Sequence, residues 1–123
     1  MEHKKLDVWH ESIKFVADIY KLTKEYPKEE LYGLTSQIRR AAVSVPSNIA
    51  EGAARSSDRE FVQFLYISLG SLSEVETQMI ISIELGYLSE GNNIFGQVTK
   101  IKQMLLGLIR YLKGKAGKVK RES

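Results

Sequence analysis

Apolar residues recur along most of the chain three or four positions apart, which is the period of an amphipathic helix. No segment shows the alternation of a half-buried strand. The pattern predicts four helices, over about residues 7–24, 34–55, 58–85 and 92–113. Short loops between such helices are typical of an up-down bundle. We therefore predict an all-α, up-down four-helix bundle in residues 1–113, followed by a basic flexible tail in residues 114–123, because Gly114 and Gly117 weaken a helix.

Local signals mark several helix ends. Asp7 is a candidate cap for the first helix, and Ser57 with Glu60 forms an S-x-x-E capping box before the third. Gly86 follows the predicted end of the third helix, where glycine is common. Pro46 lies inside the second helix, but the apolar period continues past it, so we expect a bend rather than an end.

The first and third helices carry more apolar residues than one buried face needs. In the third helix, the run from Phe61 to Leu69 is apolar on nearly every side. The first helix carries two apolar lines, one of Trp9, Ile13, Val16 and Tyr20, the other of Val8, Phe15, Ile19 and Leu22. This excess fits either a thick core with exposed aromatic residues or a second buried face that mediates self-association. In the second interpretation, the candidate oligomer-interface residues are Phe61, Phe64 and Tyr66.

The composition narrows the chemistry that the chain can perform. Its 123 residues are 43% hydrophobic and 27% charged, as in one globular helical domain, and they include no cysteine. Disulfides and thiolate metal sites are therefore excluded. The two histidines, His3 and His10, lie near the start, and no Glu precedes a His by three positions, as di-metal bundles require. With no phosphate-binding loop or catalytic triad motif, we expect no enzymatic activity, no cofactor and no metal.

Charge is distributed unevenly along the chain. The formal net charge is +3, but residues 61–99 hold four acidic and no basic side chains, and residues 100–123 hold eight basic groups against one acid. The candidate nucleic-acid-binding residues are Arg110, Lys113, Lys115, Lys118, Lys120 and Arg121. Such a segment is either a solvated tail that aids solubility or a non-specific contact for RNA phosphates. Several copies of the segment in one oligomer would strengthen contact with RNA through avidity.

A polar line beside the apolar face of the second helix is the other candidate site. It consists of Arg40, Ser44, Asn48 and Glu51, and Glu74 of the third helix is expected to approach it. The line is either a recognition groove or a structural network that holds two helices in register. We favour the structural network, because no histidine accompanies these residues for acid–base chemistry.

The sequence also indicates where in the cell the protein is expected to lie. The segment Met1–Lys5 is polar, and no stretch reaches the length of uninterrupted apolar sequence that a membrane-spanning helix needs. We expect a cytoplasmic protein that makes no membrane contact.

The stretch from Gln37 to Gly52 reads QIRRAAVSVPSNIAEG and resembles the signature of the four-helix-bundle proteins named after the 23S rRNA intervening sequence. The resemblance extends to residues 6–9, 27–34, 71–74 and 85–88. It implies a ring-like homopentamer without established enzymatic activity. A distant relative, the accessory variability determinant of diversity-generating retroelements, binds reverse transcriptase and nucleic acid through a basic surface.

The residues and the resemblance together lead to one expectation and one alternative. We expect a non-catalytic, homo-oligomeric four-helix bundle that binds RNA through basic surfaces. The alternative is a protein-interaction scaffold, or an accessory subunit of an enzyme such as a reverse transcriptase, without a direct role in RNA binding.

Overall fold

The structure is a computed structural model that describes residues 1–122, with side chains described for residues 1–115. This part of the chain forms four α-helices and no β-strand: α1 Asp7–Thr23, α2 Leu34–Ala53, α3 Asp58–Glu84 and α4 Ile94–Glu122. Short 3-10 turns at His3–Lys5 and Lys28–Glu30 precede α1 and α2. The predicted all-α four-helix fold is confirmed.

Consecutive helices run antiparallel. α1 packs against α2 and α4, and α3 packs against the same two helices from the other side. In the contact between α2 and α3, the Ser44 and Ser71 hydroxyls are 2.9 Å apart, while Gly52 near the end of α2 meets Phe61 near the start of α3. The starts of α1 and α3 therefore share one end of the bundle with the end of α2 and the C-terminal half of α4.

The core contains only one of the two apolar lines of α1. Val8, Phe15 and Ile19 are buried, whereas Ile13 and Tyr20 are exposed. α4 buries one face against the core, formed by Ile94, Val98, Ile101, Leu105, Ile109 and Leu112. Because α1 meets α2 and α4 on its Phe15 side, Ile13 and Tyr20 are left exposed, while Trp9 and Val16 are half-buried against the edge of the core.

Several helix ends agree with the sequence. The Ser57 hydroxyl accepts a hydrogen bond from the backbone N–H of Glu60 at 3.2 Å, and Gly86 adopts a φ of +80° after α3. α2 continues through Pro46, as expected. Asp7 does not cap α1: Leu6 occupies the capping position without a side-chain hydrogen bond, and Asp7 is the first helical residue, where its charge still favours the helix dipole.

The fourth helix extends further than predicted. Its helical backbone continues to Glu122, past the expected end at Lys113. The two glycines at 114 and 117 are separated by Lys115 and Ala116, and both of these residue types favour helix, which offsets part of the glycine penalty. The flexibility that we expect for residues 114–123 stays a prediction.

Candidate nucleic-acid interface

Four chain segments meet at one end of the bundle. The N-terminal ammonium group of Met1 donates to the carbonyl of Ala53 at 2.9 Å, which joins the start of the chain to the end of α2. The Lys115 Nζ lies 3.5 Å from Asp58 Oδ2, which joins α4 to the start of α3. This end therefore collects residues that are more than a hundred positions apart in the sequence.

Seven exposed basic side chains reach this end, alongside the acids Glu2, Asp7, Glu51, Asp58 and Glu60. We call the basic set the basic end: Lys4, Lys5, Arg55, Arg59, Arg110, Lys113 and Lys115. Arg59 and Arg110 form no ion pair among residues 1–115. The predicted residues Arg110, Lys113 and Lys115 are thus brought together. The side chains of Lys118, Lys120 and Arg121, which we also predicted, lie outside the described residues.

The basic end also holds its cations in defined positions. Lys113 Nζ donates to the hydroxyl of Tyr66 at 2.8 Å and lies 5.1 Å from the centre of its ring. Arg55 pairs with Glu51 at 2.6 Å, and its guanidinium lies 4.8 Å from the centre of the Phe64 ring. Both arrangements restrict the side chain while leaving the cation in contact with solvent.

One acidic group at this end, Glu2, has a lowered pKa. The main cause is the backbone N–H of Lys4, 3.2 Å from Glu2 Oε1. Desolvation opposes this shift, and the nearby charges of His3, Lys4 and Lys5 lower the pKa further. The N-terminal lysines were absent from the predicted site, although the antiparallel order of a bundle already implies that residues 1–5, 55–59 and 110–121 share one end.

The structure divides the predicted polar line of α2 into separate contacts. The Asn48 side-chain amide donates to the Ser44 carbonyl at 2.8 Å and to its hydroxyl at 2.9 Å, and the same hydroxyl meets Ser71 of α3. Glu51 turns instead to Arg55, and Glu74 accepts from Gln78 at 3.4 Å. Ser44 and Asn48 are therefore the part of the line that links α2 to α3.

Arg40, by contrast, is exposed and makes no hydrogen bond or ion pair with any residue from 1 to 115. It borders a polar groove of about 400 Å³ between α2 and α3, together with Ser44, Ser71 and Glu74. The expected single network that contains Arg40, Glu51 and Glu74 is corrected on this point. Arg40 and Glu51 lie on the same face of α2 but about 16 Å apart along its axis, so they do not reach one shared partner on α3.

The three candidate interface residues differ in exposure. Phe61 is only 3% exposed and packs against Gly52, so it is a core residue of the protomer, which corrects the expectation that it lies at an oligomer interface. Phe64 is half-buried beneath Arg55. Tyr66 is 46% exposed and belongs to a set of half-exposed apolar residues on α3 and its C-cap residue. The set lies in two groups, one in the first half of the helix and one at its end, and we call it the α3 strip: Tyr66, Ile67, Ile80, Ile81 and Leu85.

A second apolar surface lies between α1 and α2 and is called here the α1/α2 groove. It has a volume of about 580 Å³, and its lining includes all four residues of the Trp9 line: Trp9, Ile13, Val16 and Tyr20. From α2, Val43, Pro46 and Ala50 complete the apolar wall. The apolar excess predicted for α1 and α3 is therefore found on two different outer surfaces of the bundle.

Two further properties concern the whole described part. Among residues 1–115, no three His, Cys, Asp or Glu side chains lie close enough together to hold a metal ion. Within the helices described, none combines the length and the apolar character that crossing a membrane requires.

These features define the class of protein: an all-α, antiparallel four-helix bundle with a basic end and two uncovered apolar surfaces. The sequence model of the 23S rRNA-intervening sequence protein family matches residues 4–107. The chain belongs to this family.

A solved structure from Bacteroides thetaiotaomicron, described as a protein of unknown function from the S23 ribosomal protein family, is similar to the chain with a TM-score of 0.78. The two sequences are 26% identical, and the match covers 89% of this chain and 99% of that one. No curated protein sequence matches the chain.

Proposed function

We propose that the protein is a non-catalytic, homo-oligomeric bundle that binds RNA through its basic end. The observation that carries this proposal is the convergence of exposed cations from three separate chain segments at one end of the fold. Lysine and arginine side chains that neutralise phosphates release counterions, which drives binding to nucleic acid.

The ion pairs at the basic end do not oppose this role. Lys115–Asp58 and Arg55–Glu51 are solvent-exposed pairs, and such pairs contribute about 1 kcal/mol or less each. An RNA phosphate can therefore replace a carboxylate as the partner of either cation at small cost. Binding of this kind depends on the RNA backbone and depends little on base sequence.

A pair of charge-neutralising variants tests RNA binding. Arg59→Gln with Arg110→Gln removes two unpaired cations from the basic end; Lys21→Gln with Lys102→Gln removes two exposed cations elsewhere and serves as the matched control. Fluorescence anisotropy with a structured RNA should show affinity falling steeply with salt. The slope of log K against log salt should become shallower by about 1.5 in the first variant, because each lost phosphate contact contributes about 0.7–0.9. Equal losses in the two variants would contradict a defined basic end.

The C-terminal segment has a separate test. Deleting residues 113–123 keeps Leu112, the last buried residue of α4 among the side chains described, so the bundle should still fold. We expect the truncated protein to lose most of its RNA affinity and to keep its oligomeric state. If it binds RNA as tightly as the full chain, the segment is only a solubilising extension.

Self-assembly is the second part of the proposal. The α1/α2 groove and the α3 strip lie on different helices, and together they expose more apolar side chain than isolated surface residues account for. Both apolar surfaces become buried when the α3 strip of one copy packs into the α1/α2 groove of the next. Such head-to-tail contacts form a ring when the rotation between neighbouring copies closes, and an open filament when it does not. The family resemblance supports five copies.

A complementation experiment tests this arrangement. Ile13→Glu places a charge in the groove, and Ile80→Lys places one on the strip; Tyr32→Lys changes a loop residue that is 94% exposed and serves as the control. By light scattering, wild type and the control should be oligomers, and each of the other variants alone should be a monomer. A mixture of the two should form particles of twice the protomer mass, because one intact groove then meets one intact strip. Wild-type protein at the 14.0 kDa protomer mass would refute self-assembly.

The protein-interaction scaffold is the alternative, and the α1/α2 groove is the observation that favours it. If the wild-type chain is a monomer and shows no salt-dependent RNA binding, the groove remains as a surface for another protein's helix.

A further inference from the structure

The opposite end of the bundle, remote from the basic end, contains a small pocket between the end of α1, the following loop and the start of α2. Its volume is about 220 Å³, below the size of sites that take drug-sized ligands. No acidic side chain lines it among the described residues. Its polar lining consists of three cations and three hydroxyl groups: Lys24, Lys28, Arg39, Thr23, Tyr26 and Thr35.

Arg39 is held in place at this pocket. Its Nε donates to the Thr23 hydroxyl at 2.9 Å, and its Nη2 lies 3.4 Å from the carbonyl of Tyr20. The guanidinium also lies 4.6 Å from the centre of the Tyr20 ring. These contacts fix the orientation of the guanidinium without neutralising its charge, and Arg39, Lys24 and Lys28 form no ion pair within residues 1–115.

The neighbouring acidic side chains either form hydrogen bonds elsewhere or lie outside the pocket. Glu30 in the same loop accepts from the backbone N–H of Leu34 at 3.3 Å and from the Tyr87 hydroxyl at 3.1 Å. Glu25 and Glu29 are exposed and are not part of the lining. The net charge around the pocket's walls is therefore positive.

Thr35 provides an independent observation. The residue is 2% exposed and lines the pocket, yet its hydroxyl is buried without a hydrogen-bond partner among the described residues. Buried polar groups without partners are uncommon because they are costly, and a buried hydroxyl without a protein partner calls for one such as an ordered water or an ion.

We propose that this pocket binds a phosphate-class oxyanion, either the free ion or the terminal phosphate of a small monoester. A fixed guanidinium offers two parallel N–H donors to such an anion, and the two lysines supply charge from the other walls. The helix dipoles oppose each other here, since α1 ends and α2 begins at the pocket, so the three cations decide its preference for an anion.

Adjacent arginines supply a matched pair of variants. Arg39→Gln removes the pocket guanidinium, whereas Arg40→Gln removes the same charge from the next residue, which faces the separate α2/α3 groove. The probe is inorganic phosphate, titrated at constant ionic strength with chloride as the replacing anion. Amide NMR shifts should saturate at residues 23–39. The Kd should rise about tenfold in Arg39→Gln and by less than about twofold in Arg40→Gln.

Further variants keep the test valid if Arg39→Gln disturbs folding. Lys24→Gln with Lys28→Gln changes only exposed side chains and should also weaken phosphate binding, and Lys14→Gln with Lys21→Gln is its control on α1. Thr35→Val should leave the protein at least as stable, because it removes an unpartnered hydroxyl, and should weaken binding by a few-fold.

Adenosine monophosphate distinguishes the two forms of the ligand. If adenosine monophosphate shifts the same residues, the pocket accepts a monoester phosphate. If it gives no shifts there, the pocket accepts only the free ion. Either result supports the site, provided that inorganic phosphate gives saturable shifts. The proposal is overturned if phosphate gives no saturable shift, if chloride reproduces the shifts, or if Arg40→Gln weakens binding as much as Arg39→Gln does.

Discussion

Gly52 lies in a close contact between α2 and α3, and replacing it with alanine gives a quantitative test of the packing. A Cβ atom at this position would lie 2.7 Å from Phe64 Cβ and 2.9 Å from Phe61 Cδ1. Phe64 Cβ is attached directly to the backbone of α3, so it cannot move away by a side-chain rotation. Relief of the clash requires α2 and α3 to separate.

Two effects of opposite sign decide the magnitude for Gly52→Ala. Alanine in place of glycine inside a helix stabilises by about 1 kcal/mol. Overpacking of a well-packed contact costs about 1–3 kcal/mol, and a rigid neighbour at 2.7 Å places this site at the upper end of that range. We therefore expect a net loss of about 1–2 kcal/mol in the free energy of unfolding.

Gly107→Ala is the matched control. This glycine lies inside α4, and a Cβ atom there would meet only the end of the Arg110 side chain at 3.9 Å, an ordinary contact. The same substitution should therefore stabilise the protein by about 1 kcal/mol.

Urea unfolding at one fixed protein concentration measures both changes, since the apparent stability of an oligomer depends on concentration. The free energy of unfolding should be lower than that of wild type in Gly52→Ala and higher in Gly107→Ala. If Gly52→Ala were as stabilising as Gly107→Ala, the close contact between α2 and α3 would not exist in the protein.

Three further predictions concern stability. Asn48→Ala should lower the free energy of unfolding by about 1 kcal/mol, because it removes the side-chain amide that donates to the carbonyl and the hydroxyl of Ser44. Arg40→Ala should change the same free energy by less than about 0.5 kcal/mol, and chemical denaturation measures both changes. Ser57→Ala should cost about 1 kcal/mol through the lost cap of α3, and retention of the wild-type Tm would show that the Glu60 N–H needs no partner there. Burial raises the pKa of Tyr26, so as the pH rises past about 10 the tyrosine ionises first in the unfolded chain, and the stability of the folded protein falls. In thermal melts, the Tm of Tyr26→Phe should therefore fall less between about pH 9 and 11 than the Tm of wild type, and an identical pH dependence would refute this.

The sequence alone determined the number and type of the helices, because each carries an apolar period that only a helix can bury on one side. It also determined the local signals at Ser57 and Gly86, where capping depends on the backbone within a few residues. The helical backbone of α4 continues past the end expected at Lys113, because helix propensity is a weak local preference and two glycines do not by themselves end a helix.

The candidate sites depended on the tertiary structure. Sequence analysis detected an excess of apolar residues on α1, but only packing decided that Phe15 and Ile19 face the core while Ile13 and Tyr20 form a groove. The meeting of the C-terminal cations with the start of α3, by contrast, already follows from the up-down order predicted from the sequence, and the structure adds the particular pair of Lys115 with Asp58. Helical periodicity defines faces on each helix, but the neighbouring helices decide which face is buried.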